Sequence, residues 1–251
     1  MKKPVKFLHL VISTTHTRAY SKMYEHLSKF YKIFENVETY FLEYDETLDQ
    51  KIMLQGDKFK LNGKESLVPG LLNKTIEALN YFNEINVEYD YLIRSNSSTV
   101  INFNELRNFL PIEGFDYFCA QPLCLGWLDK SSGVIDERWF GTIFAQGTLI
   151  GLKRELANLL HQSSHKLRRD LIDDLSIGVF LRENWPNNLL NRIPWERYFY
   201  RAHELCTDNE FYDVAEKIKP IAWRNKTSDR DADAMRIEKI TKTLIQINGK
   251  S

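Results

Sequence analysis

Two adjacent carboxylates, Asp173 and Asp174, stand directly before the largely apolar stretch 175–181. A carboxylate held near a substrate hydroxyl can take its proton, so this pair is a candidate general base. The same placement at the start of a predicted helix also suits a helix N-terminus, where negative side chains complement the helix dipole. Taken alone, the pair leaves both interpretations open.

Small polar and cationic residues that follow predicted strands form a second set of candidates. In open parallel sheets, ligands bind beyond the carboxyl ends of the strands. Such residues can hold a phosphorylated ligand, although serine and threonine there are often turn residues or helix caps. The set comprises Ser13, Thr14, Thr15 and Arg18 after the first strand, Arg94, Asn96, Ser97 and Ser98 after a later strand, and Lys153 after a third.

A basic segment near the end of the chain contains Arg224, Lys226 and Arg230. An isolated charge cluster of this size is usually a solvated loop. Three aromatic residues, Trp127, Trp139 and Phe140, are candidates for binding an acceptor, because aromatic faces pack well on sugar rings. Since the chain has five tryptophans, burial in the core is the competing explanation for most of them.

Apolar runs and helical periodicity alternate along the chain that must position these residues. The alternation predicts an α/β fold with a mostly parallel central sheet and helices on both faces, in one domain spanning residues 1–251. The pattern places strands at 7–13, 37–44, 89–93, 117–121 and 144–152, and a late strand at 195–201. It places helices at 18–34, 71–83, 103–110, 153–162 and 173–181, and one more after a basic loop within 221–247.

The overall charge and composition exclude several classes of protein. The 251 residues include 34 basic and 34 acidic side chains, which argues against a dedicated nucleic-acid binder. Three cysteines without a short CxxC spacing favour reduced thiols over disulfides or a zinc site, so we expect a cytoplasmic protein. We expect no membrane span, because no stretch approaches the roughly 18 apolar residues that one requires.

Three blocks of sequence, in this order, resemble the fringe and β-1,3-galactosyltransferase-like families of GT-A glycosyltransferases, and most of all their small, anchorless bacterial and viral members. The first block joins the segment Asn-Lys-Thr-Ile-Glu-Ala-Leu at 73–79 to Tyr-Asp-Tyr-Leu-Ile-Arg-Ser-Asn-Ser-Ser-Thr-Val at 89–100. The second is Phe-Ala-Gln-Gly-Thr-Leu-Ile-Gly-Leu-Lys at 144–153, similar to a strand whose central glycine, here Gly147, shapes the acceptor site. The third, Leu-Ile-Asp-Asp-Leu-Ser-Ile-Gly at 171–178, resembles Pro-Asp-Asp-x-Thr-Ile-Gly, whose second aspartate is the general base.

The sequence departs from these families at both places where they usually bind a metal ion. The acidic triplet that ends the relatives' strand is replaced by Asn-Ser-Ser at 96–98, and Ala-Trp-Arg at 222–224 lacks the usual histidine. We therefore expect no metal cofactor; a divalent ion such as Mn²⁺ is the alternative that we do not favour. The charge of a diphosphate would then be met by the cations Lys74, Arg94, Arg224, Lys226 and Arg230.

The resemblance implies an inverting glycosyltransferase that moves a sugar from a nucleoside-diphosphate donor, expected to be UDP-linked, to a glycan hydroxyl. Asp174, or in second place Asp173, would be the base, and Thr14, Thr15 and Arg18 would line the nucleotide pocket. Two alternatives stay open: another nucleotide-binding α/β enzyme, such as a nucleotidyltransferase, and a non-catalytic glycan-binding protein. The first is disfavoured because the residues after the first strand contain no glycine-rich phosphate loop.

Overall fold

A computed structural model describes residues 4–14, 17–110, 114–185 and 189–249 of the chain. Its strands are β1 Phe7–Ile12, β2 Val37–Tyr44, β3 Ile52–Gln55, β4 Lys58–Leu61, β5 Tyr91–Asn96, β6 Thr99–Ile101, β7 Tyr117–Cys119, β8 Pro122–Cys124, β9 Ile143–Ala145, β10 Leu149–Lys153, β11 Leu190–Arg192, β12 Tyr198–Phe199 and β13 Ala222–Arg224. Its α-helices are α1 Arg18–Tyr31, α2 Gly70–Glu84, α3 Phe103–Phe109, α4 Arg154–Gln162, α5 Asp173–Asn184, α6 Asp208–Lys217 and α7 Arg230–Asn248.

Eight of these strands form a central sheet in the order β11-β7-β10-β5-β1-β2-β4-β3. Strand β1 pairs in parallel with β2 and β5, and the pairs β2–β4 and β7–β11 are parallel as well. Strand β10 runs antiparallel between β5 and β7, and β3 runs antiparallel to β4. The α/β fold with a mostly parallel central sheet is therefore confirmed.

Helices cover both faces of the sheet, and the side chains of β1 alternate between them. Phe7 and Val11 join a core that includes residues of α1, α3, α6 and α7. Leu8 and Leu10 join the opposite core, to which α2, α4 and α5 contribute. Burial on both faces explains why the first strand reads as a continuous apolar run rather than as an alternating one. None of the described helices has the length and apolar character to cross a membrane.

The prediction of a single strand at 144–152 is wrong, because the segment switches from one sheet to another at a turn around Gly147. Strand β9 before the turn pairs with β8, whereas β10 after it pairs with β5 and β7. The backbone N–H of Gln146 donates to the carbonyl of Gln121 at 2.9 Å, where the first pairing ends. Periodicity could not reveal the break, since both halves are apolar and buried.

Two further differences lie in the last third of the chain. The predicted strand at 195–201 shrinks to Tyr198–Phe199, which pairs with β13 in a small sheet of the order β12-β13-β6. Helix α6 was not predicted, although Thr207 and Glu210 form a capping box at its start. The small sheet matters for function, because β13 carries Arg224 to the end of the central sheet.

Candidate functional site

A cleft of about 280 Å³ lies at the carboxyl ends of β1 and β5. Parallel α/β sheets place ligands at this edge. Nine residues of the predicted site line the cleft: Ser13, Thr14, Lys74, Asn96, Ser97, Ser98, Arg224, Lys226 and Arg230. Distant parts of the sequence thus meet in one place, as the strand order requires.

Arg224 on β13 enters this cleft from the small sheet. Its guanidinium donates to Ser98 Oγ at 2.8 Å, to Thr99 Oγ1 at 3.2 Å and to Asn96 Oδ1. It forms no ion pair with a carboxylate among the described residues. Burial lowers the pKa of Arg224, and the positive charges of Arg230 and Arg94 act in the same direction. A guanidinium held by neutral oxygens keeps its charge available for an anionic ligand.

Two more cations stand beside Arg224, and one carboxylate partly balances them. Arg230 Nη1 donates to the buried carboxylate of Asp233 at 2.9 Å, which also accepts from the backbone N–H of Thr227. Burial lowers the pKa of Lys226, and the charges of Arg224 and Arg230 lower it further. The wall therefore carries an excess of positive charge, which favours a phosphorylated ligand.

Lys74 lies on the opposite wall of the cleft, and its ammonium group is occupied by hydrogen bonds within the protein. Its ammonium donates to the carbonyl of Ser13 at 2.8 Å and to Glu65 Oε1 and Oε2 at 2.6 and 2.8 Å. These three bonds use all three of its protons. Lys74 thereby fixes the end of β1, while the buried hydroxyl oxygen of Ser13 has no hydrogen-bond partner in the described parts of the chain.

The aspartate pair begins α5, and its two side chains have different partners. Asp173 is buried and forms an ion pair with Arg94 of β5. Asp174 is partly buried, and its Oδ2 accepts from the backbone N–H of Gly147 at 2.9 Å. Neither residue is the N-cap of the helix, which is Ile172, although Asp174 Oδ1 also accepts from the backbone N–H of Leu175 in the first turn at 2.8 Å. The pair therefore does more than complete a helix terminus.

The environment of Asp174 makes its carboxyl group basic for an aspartate. Burial raises its pKa from 3.8 to about 6, helped by the negative charge of Asp173 and opposed by Arg94 and the Gly147 N–H. A base with a pKa near the working pH combines the correct protonation state with a useful affinity for the proton. A perturbed carboxyl beside a cationic cleft is a candidate catalytic group.

Gly147 links this carboxylate to the cleft. Its carbonyl accepts from Asn96 Nδ2 at 3.1 Å, and Asn96 Oδ1 in turn accepts from Arg224. A chain of contacts therefore runs from Arg224 through Asn96 and Gly147 to Asp174. Asp174 is not itself among the residues that line the cleft; Asn96, which lines it, and Gly147 stand between Arg224 and the candidate base.

Comparisons with known proteins were made for the sequence and for the structure. The sequence matches no protein-family model and no curated protein. The structure is similar to a glycosyltransferase involved in the glycosylation of the major capsid of PBCV-1, with a TM-score of 0.48 and 10% identity over 93% of this chain and 99% of that one. It is also similar to the glycosyltransferase GlyE of Streptococcus pneumoniae TIGR4, with a TM-score of 0.44 and 12% identity. The likeness to GlyE covers 98% of this chain but 64% of the GlyE chain.

The absence of a metal cofactor stays a prediction, and the described side chains at the cleft favour it. Asn96 and Ser98 are neutral and already bind Arg224. Glu65, a carboxylate that lines the cleft, is paired with Lys74. Within the described ranges, no group of three or more His, Cys, Asp or Glu side chains is arranged to hold a metal ion. Ca²⁺ and Mg²⁺ depend on such oxygen ligands, chiefly carboxylates.

The remaining predicted residues lie in three kinds of place. Arg18 is exposed at the start of α1 and is not among the residues that line the cleft, and Thr15 lies outside the described residues. Trp127 is 45% exposed in the loop after β8. Trp139 and Phe140 pack on a hydrophobic cluster shared with α5. Their predicted contact with an acceptor stays a prediction.

The sequence-based prediction missed five residues that line the cleft: Ile12, Tyr20, Glu65, Leu67 and Leu71. The four aliphatic or aromatic side chains among them offer a surface for a flat or apolar part of a ligand. The position of Tyr20 on the first turn of α1 was the available signal, since α1 is the first helix after β1. Glu65 and Leu67 lie in an irregular segment before α2, where no periodic pattern indicates which way a side chain points.

Proposed function

We propose that this protein is an inverting glycosyltransferase that transfers a sugar from a nucleoside-diphosphate donor, UDP-linked in our expectation, to a glycan hydroxyl. The observation that carries the proposal is the placement of the partly buried Asp174 one backbone residue away from the cationic cleft. The leaving diphosphate needs cations, and an acceptor hydroxyl needs a base. The sequence resemblance to fringe-like transferases also favours Asp174 as the base.

In the proposed reaction the acceptor hydroxyl gives its proton to Asp174 as its oxygen attacks the anomeric carbon of the donor sugar. The bond between that carbon and the diphosphate oxygen breaks, and the electron pair leaves with the nucleoside diphosphate. Direct displacement by a single attack inverts the anomeric configuration. Asp173 is less suited to be the base, because it is buried and paired with Arg94.

Arg224, Lys226 and Arg230 are proposed to stabilise the negative charge that develops on the leaving diphosphate. Preorganised cations in a partly dehydrated site act strongly on a charge that forms in the transition state. Arg224 is the best placed of the three, because neutral oxygens fix its guanidinium at the junction of β5, β6 and β13. No step of this proposal requires a metal ion.

Thermal-shift and calorimetric titrations with nucleoside diphosphates and their sugars test the proposal. A ligand that binds the folded state raises its melting temperature. We expect UDP and UDP-sugars to stabilise the parent protein and to stabilise an Arg224→Ala variant much less. A preference for nucleoside triphosphates would favour a nucleotidyltransferase, and stabilisation by glycans alone would favour a non-catalytic glycan-binding protein. Either result would overturn the proposal.

A further inference from the structure

A buried ion pair supports the turn between β9 and β10. Arg94 donates through Nη1 to the carbonyl of Gly147 and through Nη2 to Asp173 Oδ2. The relative exposure of Arg94 is 3% and that of Asp173 is 1%. The same glycine uses its N–H to hold Asp174, so one peptide segment touches both members of the aspartate pair, directly or through Arg94.

The enclosure of Arg94 does not fit the sequence-based expectation that it binds the nucleotide. Arg94 is absent from the residues that line the cleft, and both of its terminal nitrogens already have partners. Its Nε is buried as well and has no partner among the described residues. A diphosphate in the cleft could not reach this guanidinium unless the ion pair with Asp173 opened.

The turn leaves no space for a side chain at position 147. A Cβ atom built on Gly147 would lie 2.4 Å from Arg94 Nη1 and 3.3 Å from Asp174 Oδ2. The guanidinium, the glycine and the carboxylate are therefore packed against one another with no room for a methyl group. Because Arg94 bonds to the carbonyl and Asp174 to the N–H of the same residue, a shift of Arg94 would disturb the backbone that presents this N–H.

We propose that Arg94 is a positioning residue for Asp174: paired with Asp173, it holds the carbonyl of Gly147 and so fixes the backbone whose N–H binds the Asp174 carboxylate. The inference rests on the proposed function of Asp174 as the base, but it assigns Arg94 to the acceptor side of the reaction. Arg94 also favours the charged form of Asp174 by its own charge, while Asp173 disfavours it. Asp173 is then the anchor of Arg94 rather than a second base.

The test compares Arg94→Lys, Asp173→Asn and the double variant Arg94→Met/Asp173→Asn, with Arg201→Lys as a matched control. Arg201 is a surface arginine paired with Glu204, and neither residue is part of the predicted site. Loss of one buried partner leaves the other charge unpaired and can prevent folding, whereas the double variant removes both charges. For each full-length protein, the pKa of the Asp174 carboxyl is measured by carbon NMR, UDP affinity by calorimetry, and kcat and KM by sugar transfer.

We expect Arg94→Lys to lower kcat by about 10- to 100-fold, as misplacement of a catalytic group does. Its UDP dissociation constant should stay within about two-fold of that of the parent. The pKa of Asp174 should rise in Arg94→Lys, because the ammonium cannot hold both Gly147 and Asp173. It should fall in Asp173→Asn, because the negative charge of Asp173, which raises this pKa, is removed. A general loss of structure would not shift the pKa of Asp174 in opposite directions in these two variants.

Two results would overturn the inference. A UDP affinity weakened by about ten-fold or more in Arg94→Lys, with the pKa of Asp174 unmoved, would make Arg94 a donor-binding residue. An Asp174 pKa that is unmoved in Arg94→Lys, and is the same in the double variant as in Asp173→Asn, would show that Arg94 does not act on Asp174. Failure of the proposed function would look different: the parent itself would bind no nucleoside diphosphate and transfer no sugar, while the NMR comparison would still decide the role of Arg94.

Discussion

The backbone N–H of Gly147 donates to Asp174 Oδ2 at 2.9 Å and holds the carboxylate beside the cationic cleft. The carbonyl of the same glycine accepts from Asn96 on the cleft wall and from Arg94 behind it. The backbone of Gly147 thus contacts both the donor side and the acceptor side of the proposed reaction.

The first prediction is an acid limb in the pH profile of kcat near pH 6. Burial raises the pKa of Asp174 to about 6, and a protonated carboxyl cannot accept the acceptor's proton. Activity should therefore be full above this pH and fall by about ten-fold per unit below it. UDP affinity measured by calorimetry across the same range is the control, and it should not follow this limb. A kcat that stays constant down to pH 4.5 would exclude a general base with a pKa near 6.

The second prediction concerns the cationic wall. Arg224→Ala and Arg230→Ala should each weaken UDP binding by roughly 1–3 kcal/mol, because each loses a charge-assisted contact. Lys217→Ala is the control, since Lys217 pairs with Asp213 on the surface of α6. If calorimetry gives the parent's affinity for both arginine variants, this segment has no role in donor binding.

The third prediction uses Gly147 itself. Gly147→Ala should lower kcat by about 10²-fold, because the added methyl group displaces Arg94 or Asp174. Gly126→Ala is the matched control: a Cβ atom at that position meets nothing within 4 Å. Thermal melts of both variants would show whether the fold is retained. Equal activity in the two alanine variants would mean that the close packing around Gly147 is unimportant for the reaction.

The fourth prediction is that activity survives EDTA. The oxygens of Asn96 and Ser98 are neutral and bind Arg224, so they are poor ligands for a hard divalent cation. We expect the same turnover in EDTA as in added Mn²⁺. Activity that is lost in EDTA and restored by Mn²⁺ would reveal a missed ligand. Asp136 and Glu137 would be the first suspects, although Asp136 is engaged by Arg138.

The sequence predicted the layers of this fold better than its turns. Strand β2 has the predicted bounds 37–44, because its flanks mark a clear change from polar to apolar residues. The sheet switch at Gly147 escaped prediction, since pairing partners distant in sequence decide it. In the same way Lys74 and Arg94 were expected to bind a ligand, because charge is visible in a sequence. Their partners Glu65 and Asp173 become evident only in three dimensions.

Sugar transfer by the parent and by Asp174→Asn, over a panel of nucleotide sugars in the presence of EDTA, tests the central claim most directly. Asp170→Asn serves as the control, because Asp170 lies just before α5 and pairs with Arg168 on the surface. We predict that the parent consumes a UDP-sugar, that Asp170→Asn matches it, and that Asp174→Asn loses about 10²–10⁴ in kcat while UDP still binds. Turnover of Asp174→Asn within a few-fold of the parent would contradict the account.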